Sequence, residues 1–149
     1  MNQSISNPHI HSRILREVNR LQRGAPFVIG VNGIDGSGKT VFSNGLAQFL
    51  EEQGTETIVI LEGIFIFRKD LLRYFNLKIF LEISFAESLR RALARDKQIQ
   101  AHEIEERYRV KYHPGQDLYL RLNDPKSAAD IVINNEDYSN PYWSGDGGS

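Results

Sequence analysis

Apolar positions along the chain switch between a helical and a strand period, and that switching outlines its elements. Ile10, Ile14, Val18 and Leu21 recur every three or four residues behind Asn7 and Pro8, a capping residue followed by proline at the first helical position. An amphipathic leading helix is expected there, ended by Gly24-Ala25-Pro26. His9 and His11 fall in its first turns and read as solvated surface residues, because no carboxylate or cysteine cluster accompanies them. Phe27-Val28-Ile29-Gly30-Val31 is a short continuous apolar run, as in a strand buried on both faces. After a glycine-rich interval, Phe42, Leu46, Phe49 and Leu50 form a helical stripe, with Glu51 and Glu52 outward and Gly54 as the stop.

The same alternation continues. Thr57-Ile58-Val59-Ile60-Leu61 predicts a second strand ending at Glu62-Gly63, residues 68–75 a short helix, and residues 77–83 a third strand. Ser84-Phe85-Ala86-Glu87 has the form of a capping box, and Phe85, Leu89, Ala92 and Leu93 make the inward face of the helix it opens. Arg90, Arg91 and Arg95 project elsewhere on that helix; Arg91 and Arg95, four apart, share a face that reads as solvated. Residues 102–113 are heavily charged, and Pro114-Gly115 is expected to break their helix. A short helix over 116–122, a loop over 126–129 and a last strand over 130–134 complete the pattern. One domain over 1–140 is expected, followed by a disordered glycine- and serine-rich tail at 141–149.

Composition narrows the function classes. The 149 residues are 40% hydrophobic and 25% charged, enough for one globular domain with a modest core. A net charge of −1 gives no basic bias, so neither duplex nucleic acid nor a membrane surface is expected as a partner, and the anions handled should be small. The absence of cysteine excludes disulfides, thiol catalysis and cysteine-ligated zinc. No apolar run is long enough for a membrane span, and the expected location is the cytoplasm.

The candidate chemistry sits between the first strand and the second helix. Gly33-Ile34-Asp35-Gly36-Ser37-Gly38-Lys39-Thr40 fits the G-x-x-x-x-G-K-[ST] pattern (Walker A), in the strand, loop, helix context that the pattern requires. Its glycines let successive N–H groups and a helix N-terminus aim at one polyphosphate, so Gly33, Asp35, Gly36, Ser37, Gly38, Lys39, Thr40 and Val41 are the expected nucleotide-binding residues. Lys39 is placed to reach the β- and γ-phosphates of ATP, and Thr40 to ligate Mg²⁺. Glu62, closing the second strand beside this loop, is the expected second metal-side group, acting through water.

Four stretches in order carry a more specific likeness. Leu61-Glu62-Gly63-Ile64-Phe65, then Ser88 through Asp96, then Arg107-Tyr108 leading to Pro114-Gly115-Gln116-Asp117-Leu118-Tyr119, then Ala129-Asp130-Ile131-Val132-Ile133 resemble the uridine kinase-like P-loop kinases over roughly residues 25–140. The resemblance implies a P-loop NTPase fold and transfer of the ATP γ-phosphoryl group, with Mg²⁺, to a hydroxyl of a nucleoside-like small molecule. It also implies an arginine-bearing lid near 95–111, with Arg107 and Arg109 as its candidate phosphate ligands. Family members carry a further strand and several dozen acceptor-binding residues before the Glu-Gly strand; here Gly54 stands only eight positions before Glu62.

With that region goes the usual general base; Asp35 is the acid whose position could replace it, and its simpler reading is a side chain that stabilises the turn of the loop. The sheet is expected to hold about four parallel strands, ordered 57–61, 27–31, 77–83, 130–134, with an exposed edge that invites self-association. Two readings follow: a kinase whose activity is impaired, or a nucleotide-binding module without efficient transfer. A regulatory GTPase is poorly supported, since Asn134-Asn135-Glu136-Asp137 only superficially matches the Asn-Lys-x-Asp base-reading segment.

Overall fold

A computed structural model of the chain describes residues 7–21, 26–55 and 57–145. Four parallel strands, β1 (Phe27–Asn32), β2 (Ile58–Gly63), β3 (Leu77–Glu82) and β4 (Ile131–Asn134), form a sheet with a fifth, β5 (Tyr142–Gly145), in the order β2-β1-β3-β4-β5. The order of the four parallel strands is the expected one, and β5 joins β4 antiparallel. Part of the expected disordered tail is therefore a strand. It takes up the outer edge of β4, Trp143 packs on the core, and the guanidinium of Arg13 lies 3.7 Å from the Trp143 ring. Residues 146–149 lie outside the described ones, as does the Gly24-Ala25 end expected for the first helix.

The sheet is covered on both faces, as parallel sheets require. Helices α1 (Pro8–Leu21) and α2 (Lys39–Glu52) cover one face, where Ile10, Ile14 and Val18 meet Ile29, Val31, Leu46, Leu50, Ile79 and Ile133. His11 corrects the surface reading: it is buried on α1, with its ring 5.4 Å from that of Phe49. Gly45 leaves it room, since a Cβ there would sit 3.6 Å from the imidazole. On the opposite face Phe67, Phe80 and Val132 form a second cluster, and Phe67 and Phe75 fill the space over Gly30 that a side chain would take. Within the expected 68–75 helix only a single 3₁₀ turn forms, Leu72–Tyr74.

Helix α3 (Phe85–Arg95) opens on Ser84, whose hydroxyl accepts from Glu87 N–H at 3.1 Å. The reciprocal half of the box is replaced, because Ser84 N–H donates to Glu136 instead. Next comes α4 (Ala101–Arg107), a π-helical stretch Tyr108–Tyr112, and α5 (His113–Asn123), one after another without interruption. Pro114-Gly115 does not break this rod. The widened π turn ahead of Pro114 leaves room for its ring inside the continuous rod. Residues expected as a loop at 126–129 contribute to a one-turn helix, α6 (Pro125–Ala128), capped by Asp124. Among the described residues no helix is long and apolar enough to cross a membrane.

Candidate functional site

The glycine-rich loop lies at the carboxyl ends of the parallel strands, between β1 and α2. Gly36 and Gly38 adopt φ 76° and 88°, left-handed values that would strain other residues. Space is as tight as conformation: a Cβ on Gly38 would stand 2.8 Å from Asn135 Nδ2, and one on Gly33 2.8 Å from the Leu81 carbonyl oxygen. Gly38 caps α2 without any side-chain bond, so the first-turn donors of α2 are left for an anion.

Side chains gather around the loop as the pattern anticipates. Lys39 Nζ donates to the Ile34 carbonyl at 3.0 Å and lies 3.5 Å from Ser37 Oγ. Burial holds the Lys39 amine below its usual value, against the smaller opposing pull of Asp35 and Glu62. The Thr40 hydroxyl donates to Glu62 Oε1 at 2.7 Å, which brings the two expected metal-side residues together. Val41 lies beside them, 45% exposed in the first turn of α2. Among the described residues no cluster of three or more histidine or acidic side chains could hold a metal on its own. The pair suits Mg²⁺, which is characteristically held by one or two protein oxygens together with phosphate and water.

Asp35 projects from the loop toward α4 and the π stretch. Its carboxylate accepts from the Tyr108 hydroxyl and stands 3.9 Å from Arg95 Nη2, and Arg95 also donates to Tyr108 at 3.3 Å. Burial first, then the bond to Asp35, pushes the Tyr108 phenol up to about 12. Gln116 accepts from Asp35 N–H at 2.9 Å, tying the loop to α5. Asp35, Arg95, Arg107, Tyr108 and Gln116 line a cavity of about 290 Å³ together with Ile64 and neighbours. Arg109 is not brought there. It lines a separate cavity of about 830 Å³ with Phe85, His102 and Asp117. On a helical rod residues 107 and 109 point in different directions, so one arginine of the expected pair reaches the loop side and the other does not.

Arg91 was expected on a solvated face and is 5% exposed. Its guanidinium donates to the Gly36 carbonyl at 2.8 Å, to the Asn135 and Glu136 carbonyls at 2.5 and 3.1 Å, and to Glu87 at 2.7 Å. Arg90 and Arg91 together hold the Glu87 carboxyl down at about 2. The Tyr138 ring covers the outer side, 3.5 Å from the Arg91 guanidinium carbon. Arg91 thus joins the loop to the segment after β4, a role its spacing on α3 could not reveal. Asn32, fully buried at the end of β1, does the same for β2: it donates to the Gly63 and Ile64 carbonyls at 2.7 and 2.8 Å and accepts from Tyr119. A polar residue closing an apolar strand was the one local signal for it.

Comparison with known proteins bears on the fold. No protein-family model matches the chain, and no curated protein matches it by sequence. Among solved structures it is similar to that of a possible uridine kinase from Bacillus stearothermophilus, with a TM-score of 0.61 and 15% identity over 86% of this chain and 99% of that one. The fold is therefore α/β, a mostly parallel five-stranded sheet flanked by helices, similar to the fold of that structure.

Proposed function

We propose that the chain binds Mg²⁺-ATP at residues 33–41 and belongs with small-molecule kinases of the uridine kinase type. The observation that carries this reading is the joint placement of an uncapped helix N-terminus, Lys39 and the Thr40–Glu62 pair around one glycine loop. Each supplies a different need of a bound triphosphate: N–H donors for its oxygens, a point charge for the β- and γ-phosphates, and two oxygens on the metal side. Mg²⁺ held there would neutralise charge on the β- and γ-phosphates. Arg95 and Arg107, beside the 290 Å³ cavity, are positioned to meet negative charge developing next to the loop, and Asp35 to orient an acceptor hydroxyl.

The likeness to the possible uridine kinase supports a nucleoside-like acceptor. A second reading, nucleotide binding without efficient transfer, is favoured by one observation: Asp35 already accepts from Tyr108 and faces Arg95, so it is engaged rather than poised as a base. Calorimetric titration with Mg²⁺-ATP tests the common core of both readings. Lys39→Ala should weaken binding by about 1.5–3 kcal/mol, the scale of a charge-assisted hydrogen bond. Equal affinities for the two proteins would sink the assignment.

A further inference from the structure

The sheet ends at β2 on a strand built like an interior one. Ile58-Val59-Ile60-Leu61 is apolar on both faces, yet among the described residues β2 pairs with β1 alone. On one face Val59 and Leu61 are 40% and 49% exposed. On the other, Ile58 and Ile60 open onto a cavity of about 570 Å³ shared with Ala47 and Leu50 of α2. Its protection is thin: β2 contains no lysine, no proline and no bulge, and its one charge is Glu62 near its end. At the opposite edge stands β5, a strand of only four residues that pairs antiparallel with β4.

Backbone geometry says what the edge can accept. Phe27 N–H donates to the Thr57 carbonyl at 3.0 Å, and Phe27 is in register with Ile58. In a parallel ladder alternate residues turn both N–H and C=O to the same neighbour, so residues 57, 59 and 61 face β1. Ile58, Ile60 and Glu62 therefore turn their backbone groups outward. That set is symmetric about Ile60. An antiparallel strand of identical sequence, centred there, pairs Ile60 with Ile60, Ile58 with Glu62 and Val59 with Leu61. Every outward donor then meets an acceptor, apolar side chains meet on both faces, and the lone charge, Glu62, never opposes itself.

We propose that the β2 edge is the interface for a second copy of this chain, pairing β2 with β2 antiparallel about a two-fold axis through Ile60. The occupant must be apolar on both faces and complementary to Ile58–Gly63, and β2 itself meets both conditions. An isologous contact of this kind closes on itself as a dimer, joins the two sheets into one of ten strands and sets the two α2 helices on the same side of the seam. It is independent of any nucleotide-binding reading.

The chain lacks cysteine, which makes the register directly testable. Val59 and Leu61 would face each other as a non-hydrogen-bonded pair, with Cα atoms about 4.5 Å apart, within disulfide reach. Two copies of residue 59 would stand about 8 Å apart, beyond it. An oxidised mixture of Val59→Cys and Leu61→Cys chains should therefore give a cross-linked dimer that neither variant gives alone. Sedimentation of the unmodified chain should show a concentration-dependent dimer. Val59→Lys with Leu61→Lys, at two exposed positions, should raise its dissociation constant at least tenfold with an unchanged circular dichroism spectrum. A purified chain that stays monomeric at every concentration, a dimer indifferent to the two lysines, or a Val59→Cys chain that cross-links as readily by itself as in the mixture would each overturn the proposal.

Discussion

The Thr40 hydroxyl and the Glu62 carboxylate meet at 2.7 Å, joining the first turn of α2 to the end of β2. β2 is held in register by β1, the strand that leads into the loop and α2, so the pair depends on the sheet as well as on the loop. A hydroxyl beside a carboxylate leaves a place where Mg²⁺ could take one oxygen directly and hold the other through water.

The two residues should separate by experiment. Losing a direct ligand costs more than losing a water-mediated one. Thr40→Val is expected to reduce the Mg²⁺ dependence of nucleotide binding more than Glu62→Gln does, measured by titrating nucleotide at several Mg²⁺ concentrations. The opposite order would mean that Glu62 is the direct ligand.

Arg91 should prove structural as well as local to the loop. Its side chain is 4% exposed and satisfies three carbonyls, so Arg91→Leu leaves those acceptors unpaired in the interior. Glu87 keeps Arg90 as a partner, which places the cost near the lower end for a broken buried pair, about 3 kcal/mol. Urea unfolding of the variant measures it; a loss under about 0.5 kcal/mol, the range of ordinary surface changes, would show the network to be dispensable.

His11 gives the fold a pH dependence whose sign follows from burial. Its folded-state value is pushed below the usual 6.5 by desolvation, so the unfolded chain binds a proton more readily than the folded one. The stabilisation is fully present above 6.5 and is lost as pH falls through the lowered folded value. His113, lowered chiefly by burial with Asp35 opposing, adds in the same direction. His11→Leu should flatten the decline in unfolding free energy between about pH 7.5 and about pH 5.5, leaving the part due to His113. An unchanged slope would place the acid sensitivity elsewhere.

Activity is the sharpest point of division between the two functional readings. Holding two reactants in line contributes ~7–11 kcal/mol in favourable cases. With so few residues between α2 and β2, the acceptor's share of that positioning is expected to be largely lost. The chain should bind nucleotide while phosphorylating uridine or cytidine very slowly or not at all, in an assay coupled to nucleotide consumption. Robust transfer that Asp35→Asn abolishes would reverse this expectation and make Asp35 the base.

The sequence by itself determined what depends on near neighbours in the chain. The β1, loop, α2 unit follows from an apolar run, glycines at fixed offsets and a helical stripe, all within about 25 residues, and those signals act before any tertiary contact forms. Strand direction was legible too, because strands that alternate with helical stretches imply a parallel sheet, while the strand order came with the resemblance to the uridine kinase-like kinases. Tertiary structure decided whatever rests on partners far along the chain. Arg91 sits at a position that a helical period assigns to an outer face, and His11 borders the apolar stripe of α1 without a local sign of burial; they are buried because residues 135–138 and Phe42 and Phe49 cover them. The pairing of β5 depends on an open edge of β4 that no local pattern announces. Tyr108 reaches Asp35 across 73 positions. A periodicity records the face a residue presents and nothing of what packs against that face, which is why the loop could be read from the sequence and its surroundings could not.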